Sequence, residues 1–187
     1  MSQTTLIVAA IVIVALIAAG VLLMQRRRSE HLQSRFGPEY DRTVEQTGNR
    51  RKAEAELADR EKRIEKLDIR PLDPATRRGF VERWAEVQAR FVEDPPRAVM
   101  FADALLAEVM SARGYPVKDF DQRAADISVN YPDVVDHYRA AHDIAVRQSR
   151  GEANTEDLRR AMIHYRALFE ELVHDDAPAA REPEAAH

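Results

Sequence analysis

The sequence predicts an all-α protein: one N-terminal transmembrane helix, a polar helical stalk, and then a small helical bundle. Three observations carry this. Residues 6–24 contain no polar side chain. Elsewhere, apolar residues recur at spacings of three and four, the period of a helix face. Pro, Gly, Asn and Asp stand where such runs start and stop, and no segment alternates as a half-buried strand would.

The apolar stretch runs from Leu6 to Met24. At about 1.5 Å per residue it is long enough to match a hydrocarbon layer of roughly 30 Å. A cleaved signal peptide is the rival reading, since Ala18, Ala19 and Gly20 are small. The apolar run continues past them, however, and residues 1–5 carry no charged side chain. Arg26, Arg27 and Arg28 follow directly as a membrane-flanking basic cluster, and basic flanks favour the cytoplasmic side. The expected location is therefore a bacterial inner (cytoplasmic) membrane, single-pass, with the C-terminal domain in the cytoplasm. The expected divisions are residues 1–28 as anchor, 29–70 as stalk, 71–174 as the soluble domain and 175–187 as a disordered acidic tail.

In the stalk, Gly37-Pro38 interrupts a helix continuing from the anchor, and Pro38 suits the first position of a new one. Gly48 marks a stop and Asn49 a cap for a helix reaching about Leu67. That helix carries a thin stripe of Ala53, Leu57, Ile64 and Leu67, which Arg60 breaks. It is too short for a sustained coiled coil. One edge packed on its own domain is the simpler reading, and self-association is the other.

In the soluble domain, Asp73-Pro74 opens a helix whose stripe is Phe80, Trp84, Val87 and Phe91. Asp94-Pro95-Pro96 separates it from a second helix bearing Val99, Leu105, Leu106, Val109 and Met110, stopped by Gly114 and Pro116. Asp119 with Gln122 resembles a capping box for a short third helix to about Val129. Pro132 opens a fourth, with Val134, Val135, Tyr138, Ala141, His142 and Ala145 on one face. Asn154 caps the last, whose stripe is Leu158, Met162, Tyr165, Leu168, Phe169 and Leu172. Trp84 reads as a core anchor. The Tyr-Pro pairs at Tyr115 and Tyr131 read as core-capping turns rather than the walls of a groove.

Composition excludes several functions. The chain has no cysteine, so disulfides and thiolate chemistry are absent. Residues 71–174 hold 14 basic and 18 acidic residues, which argues against nucleic acid as a partner. No glycine-rich phosphate loop or nucleophile elbow occurs, and no cofactor is expected. The one candidate metal set is Asp133, His137 and His164. His137 and His142 are five apart, so they diverge on their helix, whereas ligand pairs sit three or four apart.

The segments RFGPEYDRTV (35–44), ARGYPV (112–117) and ADISVNYPDVVDHYRAAH (125–142) resemble a group of bacterial membrane-anchored proteins with no assigned activity. The resemblance implies a bacterial inner-membrane setting and brings over no functional residue. The expected function is a membrane-tethered, non-enzymatic domain that binds a protein partner or itself. A metal-assisted enzyme, and an envelope protein released by signal cleavage, are the alternatives.

Overall fold

A computed structural model describes residues 3–175 of the chain, with side chains described at 12–13 and 15–175. The helices are α1 (Gln3–Phe36), α2 (Pro38–Thr47), α3 (Arg50–Ile64), α4 (Pro74–Arg90), α5 (Pro95–Ala112), α6 (Phe120–Asn130), α7 (Val135–Ser149) and α8 (Thr155–His174). No strand occurs among the described residues, so the all-α class holds. The chain divides into two compact units, Met1–Leu57 and Ala58–His187, and the division falls inside α3. The tail expected at 175–187 lies outside the described residues except for Asp175.

The expected membrane span, and with it the single-pass inner-membrane location, is corrected: among the described residues no helix is long and apolar enough to cross a membrane. Within α1 the described apolar side chains, from Val12 to Met24 without Val14, give way at Gln25 to a polar, charged half, so no described window is both long and apolar enough. Leu6, with the rest of 6–11 and Val14, lies outside the described side chains.

In the first unit, Gly37 breaks the chain between α1 and α2, and Pro38 begins α2. Gly48 ends α2 in the left-handed conformation, its N–H donating to the Val44 carbonyl. Leu32 and Phe36 of α1, Tyr40 and Thr43 of α2, and Ala53 and Leu57 of α3 are buried. The thin stripe read on α3 is therefore a packed edge.

The second unit is organised by α5, whose Val99, Leu105, Leu106, Val109 and Met110 are almost wholly buried. α5 packs against α4 and α8, and α7 lies along α8. The caps are those the sequence signals. Asp73 accepts from the N–H groups of Ala75 and Thr76, and Asp94 from that of Arg97. Asn154 and Asp157 form a reciprocal capping box on α8. At α6 the Asp119 side chain accepts from the Gln122 N–H, one arm of such a box. Trp84 is buried and stacks on Phe169, with ring centroids 4.6 Å apart, in keeping with its reading as a core anchor.

Three local details differ from expectation. α3 stops at Ile64 and tightens through i→i−3 bonds from the Lys66 and Leu67 N–H groups to the Arg63 and Ile64 carbonyls. α7 starts at Val135 because the Val134 and Val135 N–H groups both turn back to the Tyr131 carbonyl. Phe91 lies past the end of α4 and is only partly buried.

Candidate functional site

Titratable side chains gather in a polar junction where α5, α6, α7 and α8 meet. Tyr138 and Tyr165 stand in the apolar stripes of α7 and α8, so the helical period carries both phenols inward; neither has measurable exposure. Asp103 approaches from α5 and Arg123 from α6, joined by an ion pair of 3.5 Å. The Arg123 guanidinium lies 5.9 Å from the Tyr138 ring centroid, and the two tyrosine rings are 6.3 Å apart. Phe120 closes one side, stacked on the His142 imidazole at 3.6 Å and tilted against Tyr138 at 4.9 Å.

Burial, and next the negative charge of Asp103, push the Tyr138 phenol well above its ordinary range. The same two causes raise Tyr165. Both therefore stay protonated at physiological pH and are available as hydrogen-bond donors, not as bases. The Tyr138 hydroxyl, Asp103 Oδ1 and Arg123 Nε have no protein partner. The junction thus keeps polar capacity beyond its internal ion pair.

His142 is pushed below the ordinary imidazole value, chiefly by burial and then by Arg123, with Asp103, Asp143 and Asp121 pulling the other way. A depressed histidine binds its proton more readily in the unfolded chain. Its contribution to stability is therefore intact above the ordinary value of about 6.5 and is lost as pH falls through that value. Urea unfolding at stepped pH between 7.5 and 5.5 should show stability declining with acidity, and His142→Gln should flatten the slope. An unchanged slope in the variant would exclude His142 as its source.

A second junction ties the C-terminal end of α8 to two turns. Arg113 is 1% exposed; its Nη1 donates to the Leu172 carbonyl at 2.6 Å and its Nη2 to Asp175 at 3.3 Å. The Tyr131 hydroxyl donates to the same Asp175 oxygen at 2.6 Å. Asn130 Nδ2 donates to the Tyr115 hydroxyl at 2.7 Å. Tyr115 and Tyr131 are buried, so the two Tyr-Pro turns cap the core.

Of the candidate metal set, the structure brings together His137 and His164, whose Nδ1 atoms are 2.8 Å apart. Asp133 is exposed and does not join them: no group of three or more His, Cys, Asp or Glu side chains suited to a metal occurs among the described residues. His164 is lowered by burial, then by His137 and Arg160.

In the first unit, Glu54 is the hub. Its Oε1 accepts from Ser29 Oγ (2.6 Å), Tyr40 Oη (2.8 Å) and Arg50 Nε (2.9 Å). Burial works to raise this carboxyl, but the three donors outweigh it and hold it below the ordinary range. Beside it, an open cleft of about 690 Å³ is lined by Arg26, Arg28, Arg50 and Arg51 together with Leu22 and Glu54. Of the three flanking arginines, Arg26 pairs with Glu30 at 3.0 Å, Arg28 faces the cleft, and Arg27 is exposed, as is Met24.

Sequence reasoning did not reach the junction around Tyr138. Its one available signal was a tyrosine inside each of two buried stripes, since a buried phenol calls for polar company. Comparison with protein-family models, with curated proteins and with solved structures finds no match to the chain, and no functional residue is carried over from a relative.

Proposed function

We propose that the chain is a helical interaction module rather than an enzyme, with α1 as its attachment element and a second copy of the chain as its first partner. One observation carries this reading. Val12, Ile13, Leu16, Ile17, Val21, Leu22, Leu23 and Met24 are all between 48% and 73% exposed on one helix. A run of large apolar side chains so exposed marks a surface that another surface covers. Each Leu or Ile taken fully out of water contributes roughly 1.5–3 kcal/mol, so a few of them suffice to drive association. The charged clusters support the same reading from the other side. Asp103 is held by Arg123 and Glu54 by three donors, while the buried phenols are raised beyond use as bases.

Sedimentation of the full chain tests the proposal. The wild type should run as an assembly at tens of micromolar. Leu16→Glu combined with Leu23→Glu, on one face of α1, should shift it to monomer while the thermal transition of the second unit stays in place. A wild-type monomer, or an assembly that survives both substitutions, overturns the reading.

A further inference from the structure

We propose that His137 and His164 form a two-histidine clip for a divalent transition-metal ion of the copper(II) or nickel(II) type, bound through both Nδ1 atoms. The two residues come from different helices, α7 and α8, which pack along one another. Their Nδ1 atoms are 2.8 Å apart, with ring centroids 5.0 Å apart and planes inclined by 33°. His137 is exposed and His164 partly so, so water can complete a coordination shell and an ion can enter from solvent.

The separation selects the ion. Metal–imidazole bonds are roughly 2.0–2.1 Å long. Two such bonds meeting across a chord of 2.8 Å enclose an angle of about 86°, which is a cis pair of a square-planar or tetragonal ion. A tetrahedral zinc site needs nitrogens about 3.3 Å apart at the same bond length, so the rings would have to spread by about 0.5 Å. The ion sits about 1.5 Å off the line between the nitrogens. To reach it, each ring turns its lone pair away from its neighbour, which breaks the histidine–histidine hydrogen bond.

Charge nearby sets the strength. Arg160 raises the cost of a cation near His164, although it is itself paired with Asp157. No third protein ligand of the His, Cys, Asp or Glu type completes the set among the described residues. The clip therefore belongs to the micromolar class, not to that of a closed structural site. Because it joins two helices, bound metal stabilises their packing through linkage.

The full chain is titrated with copper(II) or nickel(II) alone at pH 7.5 and followed by calorimetry, with pulsed electron paramagnetic resonance on the copper form. One saturable site with micromolar affinity is expected, showing two imidazole nitrogens on the copper, and the metal should raise the Tm by several degrees. His137→Gln and His164→Gln should each weaken binding at least tenfold. His142→Gln, stacked on Phe120, should leave it unchanged. The metal-free Tm of each variant reports whether it folds, and the nitrogen count on the wild type stands independently of any variant. Absence of a saturable site, a single coordinated imidazole, or loss of affinity in only one of the two variants overturns the proposal and leaves a histidine–histidine hydrogen bond in its place.

Discussion

Gly114→Ala should cost the second unit roughly 4 kcal/mol, combining about 1–2 kcal/mol for a left-handed residue with a Cβ and about 1–3 kcal/mol for overpacking. Gly114 has φ +96°, and a Cβ there would stand 2.3 Å from the Asp68 carbonyl oxygen and 3.1 Å from its carbon. Those are backbone atoms, so no rotamer relieves the clash. The backbone cannot easily retreat either, because the Arg70 N–H donates to the Arg113 carbonyl at 2.9 Å and holds the two segments together. Gly151 is the control. Its φ is +74° but its Cβ would meet nothing within 4 Å, so Gly151→Ala should cost only the conformational part, about 1–2 kcal/mol. Thermal unfolding of the full chain should show a fall of more than about 10 °C for the first variant and a few degrees for the second. Equal losses would mean that the close approach to Asp68 does not constrain the fold.

Arg113→Met should cost about 2–4 kcal/mol, by taking the guanidinium away from a buried carbonyl and a carboxylate. Methionine keeps most of the stem's packing, so the loss isolates the guanidinium. Leu172 loses its 2.6 Å donor at the end of α8, and Asp175 loses the guanidinium while keeping the Tyr131 hydroxyl. Burial, followed by Tyr115 and the bond to Asp175, already raises the Tyr131 phenol far above its ordinary range. It therefore remains a donor and cannot neutralise the carboxylate. Asp175→Asn should cost less, about 1 kcal/mol, because that side chain is partly exposed. Urea unfolding measures both. If Asp175→Asn proved as damaging as Arg113→Met, the Arg113–Asp175 pair rather than the carbonyl cap would dominate.

Most of the helical order was legible locally. Asp73-Pro74, Asp94-Pro95, Asp119 and Asn154 begin helices because a side-chain acceptor or a proline ring acts within a few residues. Gly48 stops α2 for an equally local reason, its left-handed φ of 61°. Legibility failed where a position's meaning depends on a distant partner. Arg60 looked like a break in the α3 stripe. It is buried, with Nη1 3.4 Å from Ser128, while its neighbour Arg63 pairs with Asp126 at 2.8 Å. Arg113 stands at the end of its helix with no local signal of its burial, yet it is among the most buried side chains. The apolar run at the N-terminus was read by composition as a membrane span, and that reading did not survive on α1.

What the sequence by itself determined was the all-α class, the helix starts and the inward faces, because these follow from hydrogen bonds and periodicities closed within a few residues. Tertiary structure alone decided which polar groups meet: Asp103 with Arg123, Arg113 with Leu172 and Asp175, and, of the set Asp133, His137 and His164, the two histidines. Each of those pairs joins separate elements. Spacing along a chain carries no information about a distance that exists only once helices have packed.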